Sequence, residues 1–283
     1  MIGWLAGNNN IQGMMMTYYF RVFLTAVAIT ISGCAQQSPF LHTAKNQQFD
    51  GMRVAVLEPE VTVNELGIAS LEEVPEWTDE ATKNIDAYLT DLVGTASSTL
   101  DIRKAQEIPD DKQDYLDEHL ALYQRLSLEF VSTYRQPAWK AHRDKLDMRI
   151  GDGLALMKDE LEADAVLVVI GDESVSSGGR IASAVVMAAV FGVAMPMGHA
   201  LIHVGLIDLD TGKIIWTNTT YNPGGGLRTD REARFMMSKT LESFPAEIPP
   251  KPKSKEQLAR EKKAEEKRLR FEARNQKKID EAA

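Results

Sequence analysis

Two histidines four residues apart, a serine- and glycine-rich turn ending in arginine, many carboxylates and a single cysteine are what this 283-residue chain offers for chemistry. His199 and His203 fall on one face whether their segment is helix or strand. A zinc site needs at least a third ligand and groups that orient the imidazoles. The nearest acids, Asp208 and Asp210, belong to a predicted hairpin, so the pair reads as strand-edge histidines and no metal is expected. Ser176-Ser177-Gly178-Gly179-Arg180 can aim amides at an anion. It has neither the spacing and lysine of a phosphate loop nor a dinucleotide fingerprint, and reads as a turn. Serine hydrolysis needs a serine, a histidine base and an orienting acid, and the sequence has no Gly-x-Ser-x-Gly elbow. With 41 acidic residues, neighbouring carboxylates are commonplace and read as solvated surface. No catalytic residue and no cofactor is assigned, and the chain is not expected to be an enzyme. The one cysteine, Cys34, rules out an intrachain disulfide and a multi-cysteine metal cluster.

The surroundings of Cys34 give it a different chemistry. Arg21 precedes an apolar run, Val22 to Ile31, and Ser32-Gly33 closes it before the cysteine. A charged start, a short apolar middle and small residues at the end form a secretory signal. As a helix the run measures about 15 Å, half a bilayer core, which is too short for a stable span. The ending Ile31-Ser32-Gly33-Cys34 resembles the lipobox of bacterial lipoproteins, with Ile31 in place of the commoner leucine. The resemblance implies that Ile31, Ser32 and Gly33 are read by the signal peptidase. It also implies that Cys34 becomes the new N-terminus and carries lipid on its thiol and amine. Ala35 stands where an aspartate would imply retention at the inner membrane, so the implied location is the periplasmic face of the outer membrane. Residues 1–13 are rich in Asn and Gly and unlike a signal start, which leaves Met14, Met15 and Met16 open as initiators beside Met1. The expected layout is a signal peptide over 1–33, a polar tether over 34–50, an α/β domain over 51–248 and a charged helical tail over 249–283.

Within the domain, the elements follow from periodicity. Met52 to Leu57 reads as a first strand ended by Glu58-Pro59, and the acidic, proline-bearing stretch 59–78 reads as a loop. Thr78 or Asp79 is the expected cap of a helix with the apolar stripe Ala81, Ile85, Tyr88, Leu89, Leu92, Val93 and Ala96. Leu100 to Arg103 reads as a short strand. A helical pair inserts over 110–162. Its first member carries Tyr115, Leu116, Leu120, Tyr123, Leu126 and Phe130. Its second starts at Pro137 and runs through Trp139 to Leu161, with a bend or break expected at Gly151 and Gly153. Ala165 to Ile170 is a continuous apolar run, the mark of a central strand buried on both faces. Leu201–Leu209 and Ile214–Thr220, joined by Asp210-Thr211-Gly212-Lys213, form a hairpin. Thr229 with Glu232 is a capping box for a last domain helix. The fold class is α/β: one domain with a mixed sheet flanked by helices, a helical-pair insertion and a charged helical tail.

Three pieces of this pattern resemble a known domain. They are Val54-Ala55-Val56-Leu57-Glu58-Pro59, Leu161 to Val168, and the hairpin Val204 to Trp216. Together they resemble the α/β domain at the N-terminus of the Tol–Pal protein TolB and in envelope lipoproteins such as CsgG and the GNA-type lipoproteins. The resemblance implies an assembly or transport role in the cell envelope and brings no catalytic residues with it. The expected partners are the membrane, through lipid on Cys34, envelope proteins and further copies of the chain.

Two segments stand apart. Ile181 to Gly198 has no charge and many Ala, Val and Met. At 18 residues it reaches the lower limit of a spanning helix. It reads either as a membrane-inserting or oligomer-forming element, or as a buried helix or β-arm packed on the sheet. The tail from Pro249 on carries 12 basic and 7 acidic residues in a chain whose net charge is −9. An acidic domain therefore carries a basic arm, read as a solvated helix or as a contact for an anionic partner. The overall negative charge excludes a uniformly basic nucleic-acid binder. The functional expectation is a non-enzymatic, lipid-anchored accessory of envelope assembly or transport. The alternative is a subunit of a membrane-inserted secretion or transport complex that uses 181–198.

Overall fold

Strand β6, Ala165–Ser176, runs twelve residues with nearly every side chain buried, twice the length its apolar run predicts. The computed structural model describes residues 42–43, 48–134, 138, 147–253 and 255–280. The signal segment, Ile31, Ser32, Gly33, Cys34 and Trp139 lie outside them. The described strands form one eight-stranded mixed sheet. In chain order they are β1 (His42–Thr43), β2 (Met52–Val56), β3 (Glu60–Leu66), β4 (Leu71–Glu73), β5 (Leu100–Lys104), β6, β7 (Gly198–Asp208) and β8 (Ile214–Asn222). The order across the sheet is β1-β8-β7-β6-β2-β5, and β3 joins β6 beyond the end of β2 and carries β4 on its far side. The helices are α1 (Pro75–Gly94), α2 (Asp110–Tyr134), α3 (Lys158–Leu161), α4 (Gly178–Phe191), α5 (Asp230–Thr240) and α6 (Lys255–Asp280).

Alternation along the strands divides the core in two. Val54, Val56, Leu167, Val169, Ile202 and Val204 face α1 and α5. Ala55, Val166, Val168 and Ile207 face α2 and the 3-10 turn Asp152–Met157. A sheet buried on both faces needs apolar residues at consecutive positions, which is why the middle of β6 shows no period of two.

The motifs quoted from the sequence have local explanations. The Asp164 carboxylate accepts from the Arg53 backbone amide and from Arg53 Nε, both at 3.1 Å, and from Arg53 Nη2 at 2.8 Å. The reciprocal Asp164 amide bond to the Arg53 carbonyl closes the pair. Together they set β6 against β2 in parallel register, Val54 opposite Ala165. The guanidinium beside it holds the Asp164 carboxyl below the usual carboxylate range. In the hairpin, Asp208 Oδ1 accepts from the Thr211 amide and hydroxyl. Gly212 takes φ +59 against the Gly151 backbone, where a Cβ would stand 1.6 Å from the carbonyl oxygen. Trp216 is fully buried, donates to the Ser243 carbonyl at 2.9 Å and meets Phe244 edge-on.

Four expectations are corrected. Residues 59–78 are not a loop but contain β3 and β4, because the outer half of β6 offers seven residues of free edge to β3. Helix α1 starts at Pro75 rather than at a Thr78 or Asp79 cap: proline at the first turn has no amide to satisfy. Thr78 Oγ1 instead accepts from the Val63 amide. The segment before β6 is not one helix over its described part. Arg149 bridges to Lys213, Gly151 takes φ +95, and a 3-10 turn precedes the single turn α3. The break expected at Gly151 is present, because that residue is held by the hairpin: the Ile150 amide donates to the Gly212 carbonyl. The capping box does not close either; the Thr229 hydroxyl donates to the Glu232 carboxylate rather than capping an amide.

Helix α2 is pressed onto the sheet at one glycine. A Cβ on Gly205 of β7 would stand 1.9 Å from the Tyr123 hydroxyl and under 3 Å from its ring. Gly205→Ala is therefore expected to lower unfolding stability by about 1–3 kcal/mol through overpacking, read as a fall in the urea midpoint at unchanged slope. An unchanged midpoint would show that Tyr123 does not pack there.

Candidate functional site

The chain crosses from β2 to β3 along the same edge of β6. Leu57 still bonds to it, through its amide and the Leu167 carbonyl, and Pro59 has no amide to give. A cleft of about 600 Å³ opens at this crossing. It is walled by Pro59, by Glu60 and Val61 from β3, Gln124 and Ser127 from α2, and Asp172, His199 and His203 from β6 and β7. Burial pushes the Glu60 carboxyl above its ordinary range, and nearby Asp117 adds to the shift. Ser127 is buried and its Oγ has no hydrogen-bond partner.

The structure does bring His199 and His203 together on one strand face, and gives them opposite characters. His199 Nε2 lies 2.9 Å from Asp172 Oδ1, and its ring stacks on Tyr221. The carboxylate raises the His199 pKa, against the opposing effect of burial. His203 is buried. Its Nδ1 lies 2.5 Å from Thr219 Oγ1 and its Nε2 3.2 Å from Thr217 Oγ1. The Thr217 proton goes to the Val204 carbonyl, so Nε2 must donate to Thr217 and Nδ1 accept from Thr219. That neutral tautomer satisfies both nitrogens, and burial pushes the imidazole pKa down to about 3. Each imidazole is thus committed to a carboxylate or to threonines, not to a serine. No group of three or more His, Cys, Asp or Glu that could hold a metal occurs among the described residues. The hairpin acids are elsewhere: Asp208 holds the turn and Asp210 pairs with Lys158. Asp172, the true neighbour of His199, lay just beyond the apolar run in the sequence. Continuing the strand's alternation two residues past Ile170 would have placed it on the same face.

The turn 176–180 and the segment 181–198 fall at one end of the sheet. Ser177 caps α4, accepting from the Arg180 amide, and the Arg180 guanidinium donates to the carbonyls of Gly67 and Pro196. The turn is used by its own helix rather than by an anion. Helix α4 is neither a buried helix nor a β-arm. Of its fourteen residues only Ala184 is buried. Val185, Val190 and Phe191 are 63–66% exposed, and Ile181, Val186, Val193 and Met197 are exposed as well. Fully burying one such side chain is worth about 1.5–3 kcal/mol, so a surface of this kind marks a contact face. Gly192 ends the helix at φ +67, at a length of about 21 Å. No helix among the described residues is long and apolar enough to cross a membrane.

No family model and no curated protein matches the chain. Solved structures similar to it include the PelC dodecamer from Paraburkholderia phytofirmans, at 14% identity and TM-score 0.34, covering 73% of this chain and 95% of that one. The LpoB C-terminal domain from Salmonella enterica is similar at 15% identity and TM-score 0.23, covering 63% of this chain and 86% of that one.

Two titrations follow. Between the ordinary histidine pKa of about 6.5 and the native value of about 3, the unfolded chain binds a proton at His203 that the native protein does not. Acidification through that window therefore lowers stability, by about 1.4 kcal/mol per pH unit from this one group. His203→Gln is expected to flatten the pH dependence of the urea midpoint by up to one proton; an unaltered slope would assign the acid sensitivity elsewhere. Asp172→Asn is expected to bring the His199 pKa down, read by NMR of its ring protons. A titration that does not move would mean that the carboxylate does not hold the imidazole.

Proposed function

We propose that the protein is a lipid-anchored accessory of the bacterial envelope that works by contact rather than by catalysis. In this reading Cys34 carries the lipid at the periplasmic face of the outer membrane, and the α/β domain holds envelope proteins in place during assembly or transport. The observation that carries the reading is the exposed apolar helix α4, which presents Val185, Val190 and Phe191 to the outside of the domain. A module working from a membrane surface has a use for such a face, which leaves the rest of the domain to its partners. The reading in which 181–198 spans a bilayer as part of a pore loses support to the same helix, since about 21 Å of helix is well short of a 30 Å hydrocarbon core. A helix of this length suits a surface.

Replacing Cys34 tests the anchor. Cys34→Ala is expected to abolish incorporation of labelled fatty acid, whereas the native chain takes the label and sediments with outer membrane. Label retained by the variant would overturn the anchor assignment.

A further inference from the structure

The apolar face has a definite position in the fold. Helix α4 leaves β6 at Ser176 and returns to β7 at Gly198, which pairs with Val175. Strand β8 ends beside the start of β7, with Asn222 opposite Ala200. Strand β3 reaches the same end, Leu66 opposite Ser176, so the tip of the β3–β4 hairpin lies there too. Arg180 ties that tip to α4 through the Gly67 carbonyl. Ile68 and Leu71, at the tip, are 67% and 59% exposed. One end of the sheet thus gathers the exposed apolar side chains of α4, of the segment after it and of the hairpin.

The direction of β1 adds a second, independent fact. It pairs antiparallel with β8, His42 opposite Thr217 and Thr43 opposite Trp216. The N-terminal end of β1 therefore points toward the end of the sheet that carries α4. Seven residues separate Cys34 from His42, at most about 29 Å of chain over the eight steps. From Thr217 to the end of β8 at Asn222 is five residues, about 17 Å. A lipid on Cys34 can therefore reach past the α4 end of the sheet.

We infer that α4, with Ile68 and Leu71 of the hairpin, lies on the lipid surface into which Cys34 is anchored, so that the domain rests on the bilayer in one fixed orientation. The inference depends on the proposed lipidation of Cys34 for its location, and on the helix alone for its contact. Charge favours lipid over a protein partner: residues 181–198 carry no charged group to pair with one, and Arg180 is spent on two backbone carbonyls. Charge also selects the lipid. Glu65, Glu72 and Glu73 flank the hairpin tip and outnumber the one cation there among the described residues, Arg180, so the surface that fits is a zwitterionic phospholipid rather than an anionic one.

The test uses the full mature protein reconstituted into phosphatidylethanolamine–phosphatidylcholine vesicles. Val190→Cys introduces a thiol on an exposed helix position, to be labelled with an environment-sensitive fluorophore. Because Cys34 is the only native cysteine, a lipid on it leaves the native chain without a free thiol. A native chain that takes the fluorophore therefore overturns the anchor reading by itself, without touching α4. With the anchor in place, the probe at 190 is expected to shift its emission to the blue on membrane binding and to be quenched by brominated lipid. A probe placed by Leu258→Cys on α6 is expected to stay in water. Adding Val186→Glu to the α4 probe should return its emission to the aqueous value while the protein still floats with the vesicles. Exchanging part of the lipid for phosphatidylglycerol should not strengthen the shift. A water-like probe at 190 on anchored protein overturns the inference. So does a probe that is shielded only when protein is added at a density that crosslinks α4 to a second copy.

Discussion

Strand β6 is bonded to β7 along one edge and to two different strands along the other. Ala165 to Leu167 pair with β2, and Ile170 to Ser176 pair with β3. One twelve-residue edge serves two successive pieces of chain, and the changeover at Leu57–Pro59 has to happen where a proline withholds its amide. The rest of the sheet follows from this. Beyond β2 lies β5 and beyond β3 lies β4, so the sheet forks on that side. The fork leaves a cleft that Glu60, Asp172 and His199 line. It also carries β6 out to the end where α4 and the hairpin tip meet.

The interactions that hold the fork join residues far apart in sequence and are individually weak. Arg53 and Asp164 are each about a third or more exposed, so their pair contributes little to stability on its own. Its value is register: shifting β6 by one residue against β2 would exchange the side chains facing α1 for those facing α2. The buried Glu173 acts similarly at the other end. Its carboxylate accepts from the amides of Gly226 and Leu227, fixing the glycine-rich turn that leads to α5. Tight packing does the remainder, and the fit of Tyr123 over Gly205 leaves α2 no freedom to slide.

Much of the framework was legible because it depends on short-range pattern. The central strand, the hairpin with its Asp208, Thr211 and Gly212, the stripe of α1 and the break at Gly151 all follow from spacing and from the backbone demands of glycine. What failed depended on partners distant in sequence. β3 is a strand because β6 presents an edge to it, and the three-residue, acidic β4 pairs in turn with β3. The start of α1 moved because Thr78 was taken by Val63 of β3. The His199 partner was sought in the hairpin, yet the strand pairing puts Asp172 there instead, 27 residues earlier in the chain.

The sequence by itself determined the α/β class, the apolar and uncharged character of 181–198, and the resemblance at Ile31–Cys34 that makes the one cysteine a candidate for attachment. These are properties of composition and near neighbours. Only the tertiary structure decided that the apolar segment is a capped helix standing outside the core. Hydrophobicity measures the tendency to leave water and is blind to what will cover a side chain. Both faces of the sheet were already filled, by α1 and α5 on one side and α2 on the other, so α4 had no core left to enter.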